Sequence, residues 1–180
     1  MKTDLRIQKT KKSIINAFIE LRSKKSLEKI SIKELCEKAQ INKSTFYSHF
    51  ADIYDLSDSL EDELLQSIIR DLPETIKVVT EPEEFIKRLT FSLTSHQSLL
   101  KILFADNRKG LFIIKLNNTL KFLIFQKYPE YKGDFKINTL LSYLIYGCYH
   151  AYVENREYGE QEVIELISRI SKITVDTIMA

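Results

Sequence analysis

Apolar residues recur every three or four positions along most of the chain, and this spacing predicts helices. From about Leu5 to Ser23 they form one stripe of a first helix, made of Ile7, Ile14, Ala17, Phe18 and Leu21. The 180 residues include only 4 glycines and 3 prolines, so few strand turns are available. The pattern predicts an all-α fold.

Two short helices are predicted within "SIKELCEKAQINKSTFYSHF", residues 31–50. Ser31 is followed three residues later by Glu34, which is the signature of a capping box and predicts a helix from Ile32 to about Lys38. Asn42 can cap the next helix, from Lys43 to about His49. Three N-terminal helices with a four-residue break before the last predict a helix-turn-helix arrangement.

The third helix has an unusual outer face. Phe46 and Phe50, one turn apart, define its inner side. At about 100° per residue, Ser44 and Ser48 lie almost opposite, with Thr45 and Tyr47 on the flanks. A surface helix without a partner usually carries Lys and Glu, whereas small hydroxyls and a phenol suit a helix that enters a major groove.

The charge is distributed unevenly along the chain. Residues 1–50 contain 12 Lys and Arg against 5 Asp and Glu, a net charge of +7, and residues 51–180 contain 15 against 20, a net charge of −5, which together give the overall +2. This asymmetry favours an N-terminal domain, residues 1–50, that binds a polyanion, followed by a larger domain, residues 51–180. The alternative is a solvated, lysine-rich surface.

The C-terminal domain is predicted to be a bundle of helices. Residues 52–72 read as one long helix that ends before Pro73, and further helices are expected near 83–98, 99–105 and 109–127, before a break at 128–134. The last two helices, near 135–155 and 160–178, have excess apolar surface.

The stretch "KISIKELCEKAQINKSTFYSHFADIYDL" resembles the DNA-binding region of the TetR/AcrR family of bacterial transcriptional regulators, over residues 5 to about 60. The match depends on Ala39, Ile41 and the spacing of the residues from Thr45 to Phe50. The sequence departs from the family pattern at two positions. Gln40 replaces the usual glycine of the turn, and Ile53 stands where the family often has a lysine.

The resemblance implies a homodimer that binds a palindromic operator on double-stranded DNA, more often as a repressor than as an activator. It places bases and nearby backbone against Lys43, Ser44, Thr45 and Tyr47, and phosphates against Ser31 and His49, with Lys9 as a further anchor. Ser48 joins this set through its outward position. His49 as a surface histidine and Ser31 as a cap alone stay open as alternatives.

The resemblance also implies that the last two helices pair with their copies in a second subunit. Gly147 and Ala151, four residues apart, lie on one helical face and would allow close approach, and Ile167 and Ile170 continue the apolar surface on the last helix. The alternative is that these helices complete the core of the monomer.

Aromatic residues of the C-terminal domain could surround a small-molecule effector. The candidates for such a pocket are His96, Phe104, Phe122, Tyr143 and Tyr146. Packing within the core is the alternative for each of them, and the chemical identity of an effector does not follow from the pattern.

Enzymatic function is not expected. The sequence has no P-loop, GxGxxG, GxSxG or HExxH motif, and its three histidines are far apart. Cys36 and Cys148 lack the spacing of a metal site, so buried thiols are expected, with no metal and no cofactor. No window reaches about 18 apolar residues, and no signal peptide is apparent, which predicts a cytoplasmic protein without a membrane span. A helical adaptor that binds only protein is the competing function.

Overall fold

The computed structural model describes residues 2–72 and 78–180, apart from the side chains of residues 2–4, 107 and 109. Within these ranges every regular element is a helix, and no strand is found. The predicted all-α fold is confirmed. The predicted helix stop at Pro73 lies outside the described residues.

Nine α-helices follow one another along the described ranges. They are α1 (Lys2–Arg22), α2 (Ile32–Ala39), α3 (Lys43–Tyr47), α4 (Ile53–Arg70), α5 (Pro82–Ser95), α6 (Gln97–Leu103), α7 (Lys109–Lys127), α8 (Phe135–Asn155) and α9 (Glu160–Met179). Short 3-10 turns occur at Leu27–Lys29, Asp106–Arg108, Pro129–Tyr131 and Arg156–Tyr158.

The chain forms two compact units. The first contains Met1–Leu64 and Ser98–Arg108, and the second contains Leu65–Gln97 and Lys109–Ala180. The first unit is therefore larger than the predicted domain of residues 1–50. Leu56 and Leu60 of α4 are buried, and Arg108 donates hydrogen bonds to the carboxylate of Glu61, so residues beyond 50 are part of its packing.

The core of the first unit contains most of the predicted stripe of α1. Ile14, Ala17, Phe18 and Leu21 are buried as expected. Ile7 is an exception, with 52% of its surface exposed, so its prediction as a core residue is wrong. Residues 5–9 are all exposed, because no described element covers this end of α1.

The second unit is built from α5, α7, α8 and α9 together with the end of α4. α9 packs against both α5 and α8, and α7 packs against α8. Leu140, Leu144 and Val175 form a buried cluster between α8 and α9. About one helical turn away, Cys148 Sγ lies 3.2 Å from Ser171 Oγ. Among the described residues, no helix has the length and apolar character needed to cross a membrane.

Candidate nucleic-acid interface

The connection between α2 and α3 bends at a residue that is not glycine. Gln40 adopts the left-handed conformation, with φ 56° and ψ 45°, and its backbone N–H points at the carbonyl oxygens of Cys36 and Glu37. The N–H of Ile41 donates to the carbonyl of Cys36 at 3.0 Å. These bonds resemble those of a glycine-ended helix, and a side chain in this conformation costs about 1–2 kcal/mol.

Ser31 begins α2 as a cap. Its Oγ accepts a hydrogen bond from the backbone N–H of Glu34 at 3.2 Å. The carboxylate of Glu34 binds the ammonium of Lys25, with an Oε1–Nζ distance of 2.6 Å. The first half of the predicted capping box is therefore present, and the carboxylate of Glu34 binds a lysine side chain.

α3 is short and is held at both ends. Asn42 Oδ1 accepts a hydrogen bond from the backbone N–H of Thr45 at 2.8 Å, which caps the helix as predicted. The helix ends at Tyr47, two residues before the predicted end at His49. Phe46 and Phe50 are buried, and they hold α3 against the core of the first unit.

The outer face of α3 is polar. Lys43, Ser44, Tyr47 and Ser48 are exposed, Tyr47 to 55%, and Thr45 and His49 are half-buried. The ring of Tyr47 packs edge-on against Phe46, with 5.5 Å between the ring centres. Because Phe46 is buried, this contact holds one part of the Tyr47 ring in place, and the rest of the ring remains open to a partner.

The serine and threonine hydroxyls of this face already donate their protons to internal hydrogen bonds. Ser44 Oγ and Thr45 Oγ1 donate to Asn42 Oδ1 at 2.8 and 2.7 Å, and Ser48 Oγ donates to the carbonyl oxygen of Thr45 at 2.7 Å. In this arrangement the three hydroxyls can offer only lone pairs to a partner.

A groove of about 750 Å³ runs beside α3 within the first unit. One side is lined by Arg6, Ile7 and Thr10 of α1, and the other by Thr45, Ser48 and His49. Lys9, which was predicted to anchor DNA, lies half a rotation from Phe18 on α1 and does not line the groove. Arg6 lines the groove but was not predicted to contact DNA. It could have been found from its place next to Ile7, which was wrongly predicted to be a core residue and also lines the groove.

The basic residues of the first unit fall into two groups. The first group forms ion pairs within the unit, among them those of Lys11, Lys25 and Lys38 with Glu63, Glu34 and Glu20. Hydrogen bonds from Lys38 and Lys24 lower the pKa of the Glu20 carboxyl. The second group has no ion pair among the described residues and contains Arg6, Lys9, Lys12, Lys29, Lys43 and Lys101. Its positive charge is available to an external anion.

Both cysteines are shielded from solvent to different extents. Cys36 is buried and Cys148 is half-buried, and burial raises the pKa of both thiols. The charge of Lys43 opposes the shift at Cys36, which places this lysine near the end of α2. No metal-binding cluster is found among the residues that the structure describes.

The five predicted effector-pocket residues line neither the groove beside α3 nor the small cavity described in the second unit. Phe104 is buried in the first unit, whereas Phe122 and Tyr143 are each 60% exposed on α7 and α8. A cavity of about 10 Å³, enough for one water molecule, lies among α5, α7 and α8. It is lined in part by Leu89, Leu116, Ile145, Tyr149 and Tyr152, and by none of the five predicted residues.

His96 lies in a hydrogen-bonded network within the second unit. Its Nε2 is 3.1 Å from Ser67 Oγ, and its Nδ1 is 2.9 Å from the carbonyl oxygen of Ser92 and 3.7 Å from Asp71 Oδ2. In a nucleophilic triad the carboxylate holds Nδ1, whereas here the nearer partner is a backbone carbonyl. The network joins the end of α4 to α5 and has the geometry of a structural contact.

The four predicted dimer residues differ in how exposed they are to solvent. Gly147 is exposed, and no described side chain apart from those of its chain neighbours lies within 4 Å of the position that a Cβ would occupy; Ala151 is half-buried. Ile170 is exposed, but Ile167 is buried inside its own unit, in which α9 packs against both α5 and α8. The exposed apolar face of α9 consists of Leu166, Ile170 and Ile173, two of which were not predicted.

Comparison of the chain with models of known protein families and with curated proteins finds no match to either. Function is therefore inferred from the residues and the geometry of the site.

Proposed function

We propose that the chain is a DNA-binding transcriptional regulator of the TetR/AcrR type, in which α1, α2 and α3 form a helix-turn-helix head and α3 enters the major groove. The observation that carries this proposal is the outer face of α3. It combines an exposed tyrosine, Tyr47, with small hydroxyl residues and Lys43, on a helix anchored by two buried phenylalanines. Small and polar side chains permit close approach to base edges.

The unpaired basic side chains support the same surface. Arg6 lines the groove beside α3, and Lys43 is the first residue of α3. Neither has an ion pair among the described residues, so their charge can neutralise phosphates without breaking an internal contact. Lysines that are paired internally, such as Lys25, would contribute less.

A homodimer is the second part of the proposal. The exposed face of α9 (Leu166, Ile170 and Ile173) is apolar, and Gly147 is exposed on α8, which packs against α9. Two copies of this surface would bury each other's apolar side chains around a two-fold axis. A dimer with two heads would recognise an inverted repeat in DNA.

The remaining parts of the proposal rest on the sequence and on the family resemblance, and the choice of repression rests on the resemblance alone. They are repression rather than activation, action in the cytoplasm, the absence of catalysis and cofactors, and release of DNA by a small-molecule effector. The cavity of about 10 Å³ is far smaller than an effector, so such a ligand would require the second unit to open.

A helical adaptor is the alternative function. The apolar face of α9 could bind another protein as readily as a second copy of the chain. The adaptor explanation gives no role to the polar face of α3 or to the unpaired Arg6 and Lys43. Those features favour DNA.

Substitutions on α3 test the proposal. Tyr47→Ala and Lys43→Ala should each weaken binding to an operator duplex by about 1–3 kcal/mol, with nearly unchanged thermal stability, because both side chains are exposed. Tyr158→Ala and Lys33→Ala change an exposed tyrosine and an exposed lysine outside the proposed interface, and should leave binding unaltered. Binding by all four variants at the parent's affinity would refute the assignment of α3.

A further inference from the structure

We propose that the hydroxyls of Ser44, in α3, and of Ser48, directly after it, recognise exocyclic amino groups of bases, namely adenine N6 or cytosine N4, and do not bind phosphate oxygens or base carbonyls. This inference rests on the proposed DNA-binding function and specifies which chemical groups the surface of α3 accepts. It concerns Ser44 and Ser48, the two exposed serines of this face.

The direction of the internal hydrogen bonds follows from the chemistry of their acceptors. Ser48 Oγ is 2.7 Å from the carbonyl oxygen of Thr45, and a carbonyl can only accept, so the serine must donate its proton. Ser44 Oγ is 2.8 Å from the side chain of Asn42. The atom it meets is the amide oxygen, since the same atom accepts from the backbone N–H of Thr45 at 2.8 Å.

A hydroxyl group has one proton and two lone pairs. Once the proton of Ser44 or Ser48 is bonded internally, the group can only accept a hydrogen bond from DNA. Phosphate oxygens are acceptors, as are the O6 and N7 of guanine and the O4 of thymine. In the major groove the donors are the amino groups of adenine and cytosine, so these are the complementary partners.

The two serines differ in how firmly they are held. Asn42 Oδ1 receives three donors, from Ser44 Oγ, Thr45 Oγ1 and the N–H of Thr45, although an amide oxygen has two lone pairs. Ser44 therefore competes for its acceptor. The hydroxyl of Ser48 donates to a separate carbonyl, so we expect Ser48 to show the clearer preference for an amino group.

Base analogues that lack one amino group provide the test. An operator is first selected from random duplexes with the parent protein, and each adenine is then replaced by purine and each cytosine by 2-pyrimidinone. At one or more positions the loss of the amino group should weaken parent binding by about 3- to 10-fold, the range expected for one hydrogen bond. The Ser48→Ala variant should show no such loss at that position.

Two further duplexes distinguish the other possible partners. In each duplex, the binding of the parent is compared with that of Ser44→Ala and of Ser48→Ala. The inference would be overturned, with DNA binding intact, if both variants altered only the effect of methylphosphonate linkages, or only the effect of replacing guanines by 2-aminopurine. It would also be overturned if neither variant altered the effect of removing an amino group at any position. If the parent selects no DNA at all, the proposed function fails and this inference fails with it.

An Asn42→Gly variant separates the two serines, since glycine is tolerated as a helix cap. It removes the acceptor of Ser44 but leaves the Thr45 carbonyl that holds Ser48. The amino-group preference assigned to Ser48 should persist in this variant, and that assigned to Ser44 should weaken. Equal loss of both preferences would contradict the role given to the internal hydrogen bonds.

Discussion

Arg108 donates to both carboxylate oxygens of Glu61, from Nε at 2.7 Å and from Nη2 at 2.9 Å, and Glu61 has no exposed surface. Ser57, also buried, donates to the same carboxylate at 3.1 Å. The guanidinium has a raised pKa, chiefly because of its hydrogen bonds to Glu61. A buried charge pair thus joins α4 to the turn after α6 within the first unit.

Removal of one partner of this pair should be costly. Arg108→Met leaves the carboxylate of Glu61 buried without its guanidinium, and we expect the free energy of unfolding to fall by about 3–5 kcal/mol, measured by urea denaturation at pH 7. The double variant Arg108→Met with Glu61→Leu removes both charges and should recover most of the loss. An Arg108→Met protein as stable as the parent would contradict the buried pair.

The left-handed Gln40 offers a stabilising substitution. Gln40→Gly removes the steric cost of φ 56° but increases the freedom of the unfolded chain, so we expect a net gain of up to about 1 kcal/mol in the free energy of unfolding. Glu37→Gly, inside α2, is the control and should lower stability by about 1 kcal/mol. Equal losses from both glycines would show that Gln40 is not strained.

The dimer surface is tested at Gly147. Apart from its chain neighbours, no described side chain of its own subunit lies within 4 Å of the Cβ position, so Gly147→Leu should fold normally but obstruct close approach of a second copy. We expect a monomer in analytical ultracentrifugation. Asn118→Leu, on an exposed position of α7, is the control and should remain dimeric. A dimeric Gly147→Leu protein would place the interface elsewhere.

Local sequence signals predicted much of the head of the molecule. The caps at Ser31 and Asn42 and the burial of Phe46 and Phe50 depend on residues within four positions of one another, so spacing alone reveals them. The all-helical fold follows from the same short-range periodicity.

Features that depend on distant parts of the chain were not predicted. Ile7 continues the apolar spacing of α1, but its burial requires a neighbour that the fold does not place there. Ile167 and Ile170 look alike in sequence, and only the packing of α9 against α5 and α8 decides which one is buried. The Arg108 and Glu61 pair joins positions 47 residues apart, which no local pattern indicates.

Selection of duplexes from a random DNA pool by the purified protein tests the central claim most directly. We expect enrichment of one inverted repeat, with equivalent half-sites about one helical turn apart, roughly 34–36 Å, and binding that weakens steeply as salt is raised. Tyr47→Ala should abolish or strongly reduce this enrichment, and Tyr158→Ala should preserve it. A parent protein that enriches no sequence, or whose binding is independent of salt, would contradict its assignment as a DNA-binding regulator.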